Sequence, residues 1–219
     1  NDGPERCKRL LDDMSLLMKS TNNKELTPNI FAYTTVIDAY ARRGRAQEAD
    51  KVLKEMLLNA KVVPNVRSFN SVMNAWSKSE ADDAPERCRQ LLDDMSLYDV
   101  IPDTVTYNTV IDAYSRRGRP QEAEELLREM LNVPGVQPDI LTFSTVMNAW
   151  SKSDEDDAPD YCDQLLSDMM ELAYSTNNKE LVPNKMVYQT VLDAYERRGR
   201  VDEVPEETMR QIERYVAPR

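Results

Sequence analysis

The sequence predicts an all-α chain, a right-handed α-solenoid of stacked antiparallel helix pairs. Three observations carry that expectation: a repeated motif, a helical spacing of apolar residues within it, and proline-led junctions between the copies. The motif Tyr33-Thr-Thr-Val-Ile-Asp-Ala-Tyr40 returns as Tyr107-Asn-Thr-Val-Ile-Asp-Ala-Tyr114 and as Tyr188-Gln-Thr-Val-Leu-Asp-Ala-Tyr195. A sister form, Phe69-Asn-Ser-Val-Met-Asn-Ala-Trp76, returns as Phe143-Ser-Thr-Val-Met-Asn-Ala-Trp150. The two forms alternate, which sets a longer period of 74 residues between Tyr33 and Tyr107. Repeats of this length are single supersecondary units that bury their apolar faces by stacking on one another.

The units start at Ile30, Val66, Thr104, Ile140 and Lys185, spaced 36, 38, 36 and 45 residues apart. The divisions are therefore 1–29, the second helix of an incomplete repeat; 30–65; 66–103; 104–139; 140–184, with an insertion; and 185–219, an atypical C-terminal repeat. Within 30–65, Tyr33, Val36, Ile37 and Tyr40 fall at i, i+3, i+4 and i+7, and Ala49, Val52, Leu53 and Met56 repeat that spacing. This is the period of an amphipathic helix, so each unit reads as two helices. Gly44 between them suits a left-handed residue ending the first helix, and Gly118 and Gly199 stand in the same place later. The dipeptides Pro28-Asn29, Pro64-Asn65, Pro102-Asp103, Pro138-Asp139 and Pro183-Asn184 stop one helix and offer a cap to the next. In the last unit Val204 and Pro205 displace the expected pattern, so its second helix starts late and fits a capping role. Ser20–Leu26 and Ser175–Leu181 carry the same seven letters, polar enough for a loop or a contact site. The chain starts mid-repeat at Asn1, which points to a piece of a longer or designed array with any targeting segment absent.

Composition removes several function classes. There are 39 acidic against 28 basic residues, no histidine and three cysteines, for a net charge of −11. Without histidine no Ser–His or Cys–His nucleophile, His-ligated zinc site or zinc deaminase centre can be built. The acidity argues against a generic basic nucleic-acid binder. No apolar run approaches the roughly 18 residues of a membrane helix. Cys7, Cys88 and Cys162 take equivalent second-helix positions and read as small core residues, not as a disulfide framework or a shared metal site. Trp76 and Trp150 replace Tyr at a core position and read as packing residues. The acidic runs Glu80–Asp83 and Asp154–Asp157 precede second helices and read as helix caps.

Tyr-Asn-Thr-Val-Ile-Asp-Ala-Tyr, then Arg-Gly-Arg, Glu-Ala, Met and Pro-Asp, in degenerate units of about 35 residues, resembles the pentatricopeptide repeat (PPR) family along essentially the whole chain. The resemblance implies single-stranded RNA as partner, about one base per repeat, with no cofactor, metal, membrane or small-molecule substrate. It also implies work in a mitochondrion or plastid, in transcript processing, stability or translation. In that family the fifth residue of the first helix and the last residue of the unit select the base, and a residue near the helix start packs between bases. On this sequence the base-selecting residues are Thr34, Asn65, Asn70, Asp103, Asn108, Asp139, Ser144 and Asn184. The base-sandwiching residues are Phe31, Arg67, Val105, Leu141 and Met186, where Arg67 departs from the expected aliphatic. Gln189 and Arg219, in the last unit, match no familiar pair.

Elementary geometry points to the same surface. The second, fifth, ninth and thirteenth residues of each unit share one stripe of the first helix, away from the core stripe. In the third unit these are Val105, Asn108, Asp112 and Arg116. The thirteenth residue is always basic, namely Arg42, Lys78, Arg116, Lys152 and Arg197, a candidate ladder of phosphate contacts. The first-helix segments carry +9 in total and the remainder −20, which would set a basic groove inside an acidic shell. An ionised Asp only accepts hydrogen bonds and suits the ring N–H of U or G, whereas an Asn amide also donates and suits A or C. With the family's preference for Ser or Thr beside purines and Asn beside pyrimidines, the four pairs read A, U, U and A. The expected core is 5′-AUUA-3′. A protein–protein interaction scaffold of the helical-repeat type is the alternative, favoured by the net acidity.

Overall fold

The computed structural model describes residues 2–59 and 62–216, and among them every regular element is helical. The α-helices are α1 (Gly3–Thr21), α2 (Ile30–Ala41), α3 (Ala46–Leu58), α4 (Val66–Ser77), α5 (Ala84–Leu97), α6 (Thr104–Arg116), α7 (Pro120–Leu131), α8 (Ile140–Lys152), α9 (Ala158–Ser175), α10 (Lys185–Arg198) and α11 (Glu206–Val216). No helix among the described residues is long and apolar enough to cross a membrane. The chain divides into two compact units, residues 1–113 and 114–219, with the division inside α6.

In the first unit α2 packs on α1, on its hairpin partner α3 and on the next first helix α4, and α4 packs in turn on α5. In the second unit α8 packs on α7, α9 and α10, and α10 packs on α9 and α11. The apolar stripes supply these contacts. Val36, Ile37, Val52, Leu53 and Met56 are buried in the first unit, as are Phe143, Val146, Met147, Leu165 and Met169 in the second.

Each first helix starts on a side-chain cap. The Oδ1 atoms of Asn29, Asn65, Asp103, Asp139 and Asn184 accept from the backbone N–H three residues on, at 3.0, 3.0, 2.8, 2.9 and 3.1 Å. Such a cap stabilises a helix by about 1 kcal/mol. The acidic runs behave differently from the expectation of side-chain caps. Asp83 and Asp157 precede α5 and α9 without any side-chain cap bond. Their backbone ψ is 11° and 6°, far from the extended value that aims Asn65 at its helix (169°), and a proline already removes one first-turn N–H.

The first helices α2, α6 and α10 end alike. Gly44 has φ +67°, its N–H reaches Ala41 O, and the Arg45 N–H reaches Tyr40 O, which is a Schellman closure. The same pair of bonds closes at Gly118–Arg119 and Gly199–Arg200. The arginine after each glycine then folds back over the tyrosine that ends the core stripe. The guanidinium carbons of Arg45, Arg119 and Arg200 lie 4.9, 4.8 and 5.9 Å from the ring centres of Tyr40, Tyr114 and Tyr195. The same guanidinium groups pair with Glu48, Glu122 and Glu203 at 2.6, 2.6 and 2.7 Å. Arg45 also meets Glu5 on α1, and Arg200 meets Asp160 on α9. One arginine of each Arg-Gly-Arg triplet is thus spent joining helices.

The two insertions are folded, and folded identically, where the sequence left open a flexible loop. Thr21 and Thr176 donate to Leu17 O and Leu172 O at 2.6 Å. Asn22 and Asn177 take positive φ, 53° and 50°. Asn23 and Asn178 then accept from Glu25 N and Glu180 N at 3.0 Å, opening 3-10 turns at Lys24–Leu26 and Lys179–Leu181.

Cys88 and Cys162 are buried, and burial pushes both thiols up to about 12. Cys7, on the terminal α1, is half-buried. Trp76 and Trp150 are buried packing residues with unequal partners. Trp150 Nε1 donates to Glu124 Oε2 at 2.8 Å, while Trp76 Nε1 is buried without a partner. The residue equivalent to Glu124 is Asp50, one methylene shorter and paired with Lys54 at 2.7 Å. Replacing Glu124→Asp is expected to lower stability by about 1–2 kcal/mol, and Asp50→Glu to raise it by about 1 kcal/mol. Thermal unfolding of the two variants checks both signs.

Candidate nucleic-acid interface

In the first unit the candidate surface is the stripe of α2 and α4, the start of α6 and the caps between them. Phe31 and Val105, the second residues of their repeats, are 76% and 58% exposed. Arg67 is also exposed but tethered: its guanidinium bonds Asp38 Oδ2 at 2.8 Å, and Ser71 Oγ donates to Asp38 Oδ1 at 2.6 Å. The departure from an aliphatic residue at 67 therefore has a partner, the ninth residue of the preceding repeat. Arg42 and Lys78 follow their helices and are exposed.

Asn70 and Asp103 come together. The Asn70 Nδ2 donates to Asp103 Oδ1 at 3.1 Å, and both side chains are half-buried. The bonds from Asn70 Nδ2, the Thr106 N–H and Thr106 Oγ1 fall on Asp103 Oδ1, which thereby caps α6. The cap sharpens the donor–acceptor logic of the last residue. At Asn65 and Asn184 the cap takes Oδ1 and leaves the Nδ2 donor; at Asp103 it leaves an acceptor.

The structure does not bring the other hydroxyl residues to their counterparts. Thr34 is buried and donates to Ile30 O at 2.8 Å, with no bond to Asn65. In the second unit Ser144 donates to Leu141 O at 3.1 Å and does not reach Asn184. These side chains are too short to leave their own helix. Asn108 is half-buried on α6, and Asp139 caps α8. Leu141 and Met186 are 57% and 76% exposed, and Arg116, Lys152 and Arg197 are exposed. Gln189 turns along its helix to Asp193 Oδ1 at 2.9 Å, and Arg219 lies outside the described residues.

The sign segregation expected from the sequence needs correction, because the +9 on the first-helix segments includes Arg45, Arg119 and Arg200, each already paired with a carboxylate. The thirteenth-position cations Arg42, Lys78, Arg116, Lys152 and Arg197 are exposed. Sequence reasoning placed Asp38 on this stripe but missed its tether to Arg67 and Ser71, and it missed Thr106. Their partners lie 29 to 36 positions away, and only the repeat spacing hinted at them.

A model of the PPR repeat family matches residues 28–78 and 102–152, the same stretch of two successive 74-residue periods. Those two stretches are similar to pentatricopeptide repeats. A pentatricopeptide repeat-containing protein of Arabidopsis thaliana is 34% identical over 109 residues, 48% of this chain and 18% of the relative. A chloroplastic one is 30% identical over 128 residues, 58% of this chain and 23% of its own length. The chain thus spans about a fifth of the length of these relatives. Among solved structures, the pentatricopeptide repeat protein PPR10 in complex with an 18-nt psaJ RNA element aligns at TM-score 0.56 and 26% identity, covering 95% of this chain and 32% of that one. The PPR domain of Arabidopsis thaliana protein-only RNase P 1, in complex with tRNA, aligns at TM-score 0.66 and 17% identity, covering 84% and 88%. That second likeness shows the fold.

Within the repeats, the exposed second residues contribute little to burial. Phe31→Ser and Met186→Ser are expected to change stability by less than about 0.5 kcal/mol, whereas Phe69→Ser, in the core of α4, should cost several times that. Thermal unfolding of the three variants distinguishes them.

Proposed function

We propose that this chain binds single-stranded RNA in a sequence-selective way, about one base per repeat, with a core of 5′-AUUA-3′. The observation that carries the reading is the Asn70–Asp103 pair: two polar side chains from successive repeats, bonded at 3.1 Å, with one carboxylate oxygen committed to a helix and the other left over. Exposed Phe31, Val105, Leu141 and Met186 supply apolar surface of the kind that packs between unstacked bases, with tethered Arg67 as a stacking guanidinium plane. Exposed Arg42, Lys78, Arg116, Lys152 and Arg197 supply phosphate contacts. The likeness to PPR10, solved with an RNA element, supports the same ligand class.

In this proposal residues 30–65, 66–103, 104–139 and 140–184 each read one base, in the pairs Thr34–Asn65, Asn70–Asp103, Asn108–Asp139 and Ser144–Asn184. Residues 185–219 close the array. The chain binds, masks or holds open RNA; it carries no set of residues for cutting it. The chloroplastic and mitochondrial names among its relatives support work in an organelle.

Binding to short single strands containing AUUA, to strands with each base changed, and to the matching DNA, across salt, tests the proposal. AUUA RNA should bind tightest, with affinity falling steeply as salt rises. Equal affinity for every sequence would remove the base code, and no binding at low salt would leave a protein-interaction scaffold. Asp103→Asn is the sharpest variant. It keeps the Oδ1 cap, since Asn and Asp cap about equally well, and turns the outer arm from acceptor to donor. It should leave stability unchanged and shift the second nucleotide from U toward C, measured by competition between the two strands.

A further inference from the structure

Asn70 and Asp103 do not meet alone. Thr106, the third residue of the following repeat, is fully buried, and its Oγ1 lies 2.8 Å from Asn70 Oδ1 and 2.8 Å from Asp103 Oδ1. The same oxygen accepts from the Asp103 N–H at 3.1 Å, and the Thr106 N–H donates to Asp103 Oδ1 at 2.8 Å. A threonine hydroxyl has one proton, so the two oxygens share it. That proton fixes the Asn70 amide. With Oδ1 on the hydroxyl, Nδ2 faces the carboxylate. Turning the amide over would set its oxygen against Asp103 Oδ1, two acceptors in contact, and its NH2 against the hydroxyl.

We infer that Thr106 is a specificity-determining positioning residue for the second repeat, holding the Asn70 amide and the Asp103 carboxylate in the one arrangement that faces a base. It touches no base itself. Two of the other junctions lack this link, for different reasons. Val187 stands at this place beyond Ser144 and Asn184, and there Ser144 turns to its own helix. Ser68 stands beyond Thr34 and Asn65, and its hydroxyl bonds the Asn65 carbonyl at 2.7 Å instead of the fifth residue. The hydroxyl becomes a link when an amide long enough to reach it, such as Asn70, occupies the fifth position. Three side chains, drawn from the fifth, last and next-repeat third positions, then make one reading unit.

The inference rests on the RNA-binding reading above. Its test is Thr106→Val, which keeps the β-branched shape and removes the hydroxyl, with Thr106→Ala as a second variant. Both are tolerated residues, since Ala32 and Val187 fill the equivalent place elsewhere in the chain. The readout is the affinity ratio of U over C at the second nucleotide of AUUA, and separately at the third. Loss of the hydroxyl should reduce the ratio at the second nucleotide by about fivefold, the worth of one neutral hydrogen bond, and leave the third unchanged. In an Asn70→Ser background the same substitution should change neither ratio. A wild-type chain that ignores the second base overturns the RNA code and this inference together. A selective wild type whose Thr106→Val variant keeps its full ratio, or loses affinity equally for every base, overturns the inference alone.

Discussion

The cap at the start of each first helix constrains everything built around it. A helix leaves its first N–H groups without partners, and here a side-chain oxygen of the preceding residue always supplies one. Because that residue is also the last of its repeat, the junction between repeats and the candidate reading position are the same residue. The cap commits one arm of an Asn or Asp and orients the other. An Asn exchanged for an Asp at such a place keeps the fold and reverses the polarity of what remains, so chemistry at the surface can vary without disturbing the helix beneath.

The chain's acidity and its candidate ligand are reconciled by how its cations are used. Arg45, Arg119 and Arg200 face tyrosine rings, Arg45 and Arg119 bond carboxylates on the following second helix, and Arg200 bonds Glu203 in the turn before α11 and Asp160 on α9, so they tie neighbouring helices together. Rings and carboxylates together make these stronger than exposed ion pairs alone. The residue two places before the glycine, by contrast, stays exposed as Arg42 and Arg116. Net charge is therefore a poor guide to this surface, since arginines three residues apart do different work.

Much of the helical pattern was legible because it is local. The spacing of Tyr33, Val36, Ile37 and Tyr40, the glycine at 44 and the Pro-Asn junctions each encode their own structure within a turn or two. Asp83 and Asp157 were misjudged because a carboxylate before a helix looks the same in sequence whether its backbone is extended or not. The tether of Arg67 to Asp38 and the contact of Thr106 with Asn70 were not legible, since they join residues 29 and 36 apart on different helices. The unequal fates of Trp76 and Trp150 turn on a single methylene between Asp50 and Glu124, a difference that composition hides.

The matched insertions at Ser20–Leu26 and Ser175–Leu181 have an implication for how such arrays change. The second insertion accompanies a second helix of 18 residues, where α5 has 14. Yet α10 still begins on its own asparagine, with the same bond that opens α4. Each helix start is set afresh by the residue in front of it, so a length change upstream is absorbed at the next junction instead of being passed along. A longer second helix upstream therefore leaves the start of the next first helix unchanged.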